Sequence, residues 1–420
     1  MQVVRLRRYG DINSLALDRT QLYIVQHQLS KGKGDDEEEG THGAVPWNTA
    51  PRISAVLTGP RFSRKSTAPV LLYDRHRTQL LAPSSTLNCI FLMSQQKASL
   101  LLSKQGKLEV GTRPIPTPQG KQALVKVTAA AINPVDWKIV DYGIFIDEFP
   151  AVLGTDGAGI IESVGPEVTE FRKGDKIFFQ GLYKPADSAT FQQYSLVDTE
   201  VTSKVPSNIN DDQASTIPLG SVTSLVGLFQ KSGVPFPESG PTAAGKSVFI
   251  LGIQLARIAG FSPIVTTASS QHAEYLKSLG ATHVFDRDVD LKTLQEAFAG
   301  PVSLAFDSIS IPSTQKLAIK ALTTAPAAPD AHLAVVLPLD PALQKEVEGK
   351  VTVNQVFGSS HTWKDLTVPY WQIIGKWIEE GKIVPNHVQI VDGGLSGIPE
   401  ALDLSKKGVS GVKLVIRPQE

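Results

Sequence analysis

The sequence predicts an α/β protein in which a small β-barrel is joined to a parallel sheet built from βαβ units. Short β-rich runs closed by Gly and Pro occupy residues 123–179, a strand-then-helix rhythm follows residue 215, and strands return at 388–391 and 412–416. In chain order, 123–128 alternates as a first strand, 157–164 forms a second and 176–179 a third. Pro-Gln-Gly at 118–120 and Arg-Lys-Gly-Asp at 172–175 supply the turn signals. Strands at 248–251, 264–268, 284–286, 304–307 and 333–337 then alternate with helical patterns at 253–259 and 272–279. Such alternation places a ligand beyond the carboxyl ends of the strands. The two last runs rejoin the barrel.

Composition narrows the function classes. The chain has 420 residues, 41% of them hydrophobic, and its 41 Lys and Arg balance 41 Asp and Glu. No global field therefore favours nucleic acid or a membrane surface. Cys89 is the single cysteine, which excludes disulfides within the chain and thiolate-based zinc sites. A reducing, cytoplasmic setting is the default expectation. No apolar run reaches membrane-spanning length, and the opening Met-Gln-Val-Val-Arg-Leu-Arg-Arg leads into Tyr-Gly-Asp rather than an apolar signal core.

Residues 1–92 lack a sustained period of 2 or 3.6 and contain the run Lys-Gly-Lys-Gly-Asp-Asp-Glu-Glu-Glu-Gly at 31–40. They read as a disordered extension, or as translated leader or intron sequence, because Met93 is the only methionine besides Met1 and stands where the ordered pattern begins.

Five stretches occur in order after Met93. They are Ala129-Ala-Ala-Ile-Asn-Pro-Val-Asp-Trp-Lys138, Leu153-Gly-Thr-Asp-Gly-Ala-Gly159, Val164-Gly-Pro-Glu-Val-Thr-Glu-Phe-Arg-Lys-Gly-Asp175, Leu276-Lys-Ser-Leu-Gly-Ala281 and Val409-Ser-Gly-Val-Lys-Leu-Val415. Together they resemble the medium-chain dehydrogenase/reductase superfamily. The resemblance implies a GroES-like catalytic domain at 93–215 and 366–420 and a Rossmann-type cofactor domain at 216–365. Asn133-Pro-Val-Asp-Trp-Lys138 and Ile217-Pro-Leu-Gly-Ser-Val-Thr223 look most like the stand-alone, trans-acting enoyl reductases of fungal polyketide pathways, with quinone-oxidoreductase-like members next.

Zinc-dependent members carry a cysteine near position 133 and a His-Glu pair after the glycine at 154. Here those places hold Asn133, Thr155 and Asp156, and the eight histidines form no i, i+4 pair, so no catalytic zinc is expected. The implied chemistry is hydride delivery from NADPH to an α,β-unsaturated carbonyl, with protein groups stabilising the enolate oxygen. By resemblance, Lys138 donates to that oxygen or to a cofactor phosphate, and Thr223, at the start of a predicted helix, contacts the nicotinamide ribose or the substrate carbonyl. Val135, Asp136 and Trp137 line the cleft beside them. Residues 224–231 occupy the place of the acyl chain, with Ser224 and the apolar Leu225, Leu228 and Phe229 as wall; the three apolar residues equally suit a buried helix face.

NAD-specific folds place an acidic residue at the end of the second strand. Here that strand runs out as Thr266-Thr-Ala-Ser-Ser270, Gln271 and His272, with nothing acidic before Glu274. Ser269, Ser270 and Arg287 are candidates for a 2′-phosphate, although a serine pair at this place is also an ordinary helix cap. His272, Ser410 and Gly411 complete the expected cofactor contacts.

One departure stands out. After Ser247-Val-Phe-Ile-Leu-Gly252 the chain continues directly as Ile253-Gln-Leu-Ala-Arg-Ile-Ala-Gly260, about nine or ten residues short of the usual glycine-rich fingerprint. Gly252 alone remains to meet a pyrophosphate, and the crossover is near its minimum length. A misdrawn exon boundary and a genuine deletion both account for this, the former being preferred. The expected function is an NADPH-dependent enoyl thioester reductase of secondary metabolism, acting on a small-molecule or carrier-bound acyl substrate in partnership with a polyketide synthase. The alternatives are a quinone or enone oxidoreductase and a non-enzymatic remnant.

Overall fold

The computed structural model describes residues 94–420 except Lys231, Leu251 and Ala325. The expectations for residues 1–93, and for those three positions, lie outside the described residues. Two main sheets organise the chain. A seven-stranded sheet runs in the order Val388–Ile390, Lys413–Ile416, Gln122–Ala131, Asp156–Val164, Lys176–Gln180 and Thr202–Lys204, with Tyr194–Asp198 paired to Gln122–Ala131. A three-stranded sheet of Leu108–Pro114, Gln95–Leu101 and Ala151–Val152 completes the barrel lobe through a bridge between Ala98 and Gln192. Ala123, Val125, Val127, Ala129, Ala130 and Ala131 are all buried, so the central strand is apolar along most of its length. A Cβ at Gly159 would run into the Lys126 carbonyl, so the close pairing of the two central strands requires glycine there.

The second sheet has six strands in the order His283–Phe285, Ile264–Thr267, Ser247–Ile250, Val302–Asp307, Ala331–Val335 and Val351–Gln355. Every neighbouring pair is parallel, as the strand-helix rhythm predicts. The predicted helix at 272–279 begins instead with a 3-10 turn, Ser270–His272, followed by Ala273–Ser278. Among the described residues no helix is long and apolar enough to cross a membrane.

The core does not break at residues 215 or 365. Phe178 of the barrel lobe meets Trp371 of the helix Lys364–Glu379 in a tilted contact, ring centroids 5.5 Å apart, and both belong to the same buried cluster as Ile250, Leu304 and Phe306 of the parallel sheet.

The short crossover closes. Helix Ile253–Ala259 spans seven residues, and it returns the chain so that Ile264 pairs with Val248 and Val265 with Phe249. Ile253, Leu255, Ala256 and Ala259 turn inward, and burial of these side chains holds a helix too short to persist alone. Gly260 ends it at φ 85°, donating its N–H to Ala256 and Arg257. A Cβ at this position would lie 2.7 Å from Pro241 Cβ. Gly260→Ala is therefore expected to destabilise the protein by about 1–3 kcal/mol. Gly349, at φ 69° with open space around it, is the control. Chemical denaturation should show the smaller loss for Gly349→Ala; equal losses would remove the steric part of this account.

Candidate functional site

Two short helices carry the candidate catalytic residues. Pro134–Tyr142 starts at the extended residue Asn133 with Pro134 at its first position, and Asp136 accepts a hydrogen bond from the Asn133 N–H at 2.7 Å. It stops at Gly143, whose φ of 62° lets its N–H reach the Ile139 carbonyl. Val135, Trp137 and Lys138 are half-buried on this helix. The Lys138 ammonium lies 5.6 Å from the centre of the Trp137 ring and the Lys406 ammonium 5.9 Å from it, so the indole has two cations near it. Burial pulls the Lys138 ammonium below the usual lysine range.

Asp136 requires a correction, since its side chain does not line the cleft. It is completely buried, one oxygen on the Asn133 N–H and the other accepting the Tyr183 hydroxyl at 3.0 Å. Its work is to fix the start of the helix. Burial pushes its carboxyl up to about 7, against the opposing pull of those two hydrogen bonds.

Asn133, Thr155 and Asp156 do not fit a catalytic zinc. The Lys413 ammonium donates to Asn133 Oδ1 and lies 3.5 Å from Asp156 Oδ2, so a positive charge already occupies the neighbourhood. Asn133 Nδ2 and Thr155 Oγ1 are buried without a hydrogen-bond partner and supply no anionic donor. Asp156 Oδ1 accepts the Leu219 N–H at 2.7 Å.

The second helix, Pro218–Leu225, places Thr223 in its latter half rather than at its start, because the helix begins at Pro218. Thr223 packs on Gly358, where an added Cβ would strike the Thr223 side chain and lie 2.9 Å from its Cα. Buried Gln180 fixes that loop, donating to the Gly358 carbonyl at 2.8 Å and accepting the Ser360 N–H at 2.7 Å. Beside Gly358, Phe357 is 43% exposed, and its ring centroid lies 6.4 Å from that of Phe145, on the loop following the Lys138 helix. Gln180, Phe145, Phe357 and Gly358 were not legible as site residues, since no local pattern marks partners 178 positions apart.

The expected apolar wall is corrected too. Leu225 and Leu228 are completely buried and Phe229 nearly so, its ring against Phe236 at 5.8 Å, so these residues belong to the core. Ser224 returns its hydroxyl to the Gly220 carbonyl at 2.9 Å.

At the outer edge of the parallel sheet, several expected cofactor contacts converge. Thr267 pairs with Phe285, so Ser269 and Arg287 leave their adjacent strands at the same end. Ser269 has cap geometry, but its side chain makes no cap hydrogen bond. Ser270 and Arg287 are exposed. His272 Nε2 lies 2.8 Å from Ser410 Oγ, and a Cβ on Gly411 would sit 2.6 Å from the His272 ring. Tyr275 stacks on His387 at 4.5 Å, a contact that the sequence did not mark.

The pyrophosphate end differs. Gly252 has φ −95°, and a Cβ there would meet Ser224 Oγ at 2.9 Å; its smallness serves packing against a neighbouring helix. Buried Ile253 opens the next helix. Among the described residues, Gly252 is the one glycine at the turn into this helix, and it is engaged in packing.

Residues 119–207 match the alcohol dehydrogenase GroES-like domain, and residues 248–327 match the zinc-binding dehydrogenase family. The dehydrogenase azaJ of Aspergillus niger is 31% identical over 343 residues, covering 76% of this chain and 98% of that protein. The chain belongs to the medium-chain dehydrogenase/reductase superfamily. The enoyl reductase component lovC of the lovastatin nonaketide synthase of Aspergillus terreus is 29% identical, covering 78% of this chain and 98% of that one. Among solved structures, an alcohol dehydrogenase superfamily protein of Novosphingobium aromaticivorans aligns with a TM-score of 0.65 at 24% identity, covering 77% of this chain and 99% of that chain. This member of the superfamily is thus an oxidoreductase by kinship, and kinship implies a nicotinamide cofactor.

The buried Asp136 gives this reductase-type fold a pH signature. An unfolded aspartate titrates near 4, whereas the folded one is pushed up to about 7. The folded protein keeps a proton that the unfolded chain releases, so this contribution is complete below about pH 4 and is lost as pH rises through about 7. Urea unfolding across that window should show the parent losing stability relative to Asp136→Asn as pH rises. A constant difference would contradict the assignment.

Proposed function

We propose that this protein is built as an NADPH-dependent reductase of α,β-unsaturated carbonyl compounds, with enoyl thioesters as the substrate class. The observation carrying the reading is a continuous line of contact from one candidate helix to the other. Phe145, following Lys138, meets Phe357; the adjoining Gly358 packs on Thr223. The kinship with an enoyl reductase component supports the choice of substrate and a polyketide synthase as partner.

Reduced nicotinamide, when bound, supplies a hydride to the substrate's β-carbon. The electron pair of the double bond then moves toward the carbonyl oxygen, where the Lys138 ammonium and the Thr223 hydroxyl are the groups assigned to receive the growing charge. Donors of this kind contribute roughly 10²–10³ in rate where their action has been removed by mutation. The lowered affinity of half-buried Lys138 for its proton suits it to return one toward the α-carbon, balancing the addition. Asp136 acts through the helix it caps. Phe145 and Phe357 replace Leu225, Leu228 and Phe229 as the apolar surface offered to an acyl chain. Ser269, Ser270 and Arg287 suit a 2′-phosphate, having hydroxyl and guanidinium donors and no carboxylate among them.

The two halves of the cofactor site have different prospects. Serine and arginine contacts contribute about 1.5–3 kcal/mol each when charge-assisted, which does not replace a missing pyrophosphate cradle. Titration should find weak NADPH binding by this chain. Inserting a glycine-rich segment of about nine or ten residues between Gly252 and Ile253 should restore it; micromolar affinity in the unaltered chain would sink the loop argument. In the repaired protein NADPH should bind more tightly than NADH, and Ser269→Asp should reduce that preference at least about tenfold by like-charge repulsion. Equal affinities for the two cofactors before the substitution would overturn the 2′-phosphate assignment.

A further inference from the structure

We infer that Lys413 is a positioning residue whose single ammonium ties together the N-terminal ends of the two helices that carry Lys138 and Thr223. Lys413 stands at the start of strand Lys413–Ile416, far in sequence from both helices. Its ammonium donates to Asn133 Oδ1, the side chain at the cap of helix Pro134–Tyr142. On its other side it lies 3.5 Å from Asp156 Oδ2, while Asp156 Oδ1 accepts from the Leu219 N–H in the first turn of helix Pro218–Leu225. A continuous relay runs from one cap, through one cation and one carboxylate, to the other helix.

Burial makes this relay costly to break. Asp156 is completely buried and the Lys413 side chain is 17% exposed, so their attraction is poorly screened. Removing the ammonium would leave a buried carboxylate without its counter-charge and the Asn133 carbonyl without its donor, an arrangement far costlier than an exposed broken pair. Asp156 does not depend on Lys413 alone, because the Leu219 N–H also holds it. Asn133 has its Nδ2 buried without a geometric hydrogen-bond partner, and its oxygen takes the Lys413 ammonium within the capping arrangement of the helix start. The relay explains why a cation belongs at this place in a chain whose Asn133, Thr155 and Asp156 do not suit zinc.

The functional meaning of the relay rests on the proposed roles of Lys138 and Thr223; the mechanical coupling does not. Hydrogen–deuterium exchange of the full chain, followed by mass spectrometry, tests the coupling without any cofactor or substrate. Asn133→Ala should speed exchange about tenfold in Pro134–Tyr142 and leave Pro218–Leu225 unchanged. Asp156→Ala, which removes the acceptor of the Leu219 N–H, should do the reverse, and Lys413→Met should speed both helices together. Lys413→Arg, which keeps the charge and the donors, should restore most of the protection in both. Acceleration of one helix only, or a uniform acceleration across the barrel strands, in Lys413→Met would overturn the inference. Should that variant fail to fold, the Asn133→Ala/Asp156→Ala pair decides. Two changes acting through one ammonium should give a combined stability loss smaller than the sum of the two single losses, and strict additivity would refute the relay. Because no turnover is read, failure of the reductase assignment would show separately in enone and NADPH assays.

Discussion

The pairing of Val415 and Ile416 with Ala131 and Ala130 is the contact on which the candidate site depends. It brings the end of the chain against the strand that runs directly into Asn133 and the first helix, and the Ile132 N–H adds a bond to the Leu414 carbonyl at 2.9 Å. Ala129, Ala130 and Ala131 have no exposed surface, and their small side chains permit this approach. Everything just upstream of Val415 is thereby set in place: Lys413 beside Asn133, Gly411 beneath the His272 ring, Ser410 on its nitrogen. A site whose sequence motif begins at residue 133 is therefore assembled only when residues 410–416 have docked.

The sequence made the parallel sheet legible because its strands are short apolar runs set between helices, and Ile264–Thr267 and Val302–Asp307 fall where the rhythm puts them. Val351–Gln355 was missed since its side chains are half-buried or exposed, which weakens any apolar signal at the sheet edge. Gln95–Leu101 was missed for a similar reason, its buried positions including Gln96, Ala98 and Ser99. Helix Lys364–Glu379 carries Pro369 inside it, a residue that ordinarily argues for a break. At the site, the motif around Lys138 marked residues of the expected cleft, but neither the capped helix Pro134–Tyr142 nor the inward turn of Asp136 was read from it. That choice is made by Tyr183, whose hydroxyl offers the carboxylate a partner 47 positions away. Leu225, Leu228 and Phe229 read equally as wall or core from periodicity alone, and tertiary packing against Phe236 and its neighbours decides for core.

The shortened crossover separates fold from ligand binding. Two helical turns suffice to return the chain in parallel register, since the buried faces of Ile253, Leu255, Ala256 and Ala259 supply the packing. Phosphate recognition asks for something else: glycines that let a ligand approach the backbone at the helix start. Here Gly252 is used in close packing on Ser224 and buried Ile253 follows it. The sheet thus tolerates the short crossover, while the proposed cofactor site is left with one glycine at this turn.

Gln180 adds a mechanical consequence. Its amide spans from the barrel lobe to both the Gly358 carbonyl and the Ser360 N–H, and Ser360 in turn accepts the Trp371 indole N–H at 2.9 Å. These are buried bonds, each leaving an unsatisfied group worth about 1–3 kcal/mol if broken. Separating the loop that carries Phe357 and Gly358 from the barrel lobe would break both Gln180 bonds at once, so this one side chain sets how firmly that loop is held beside Thr223.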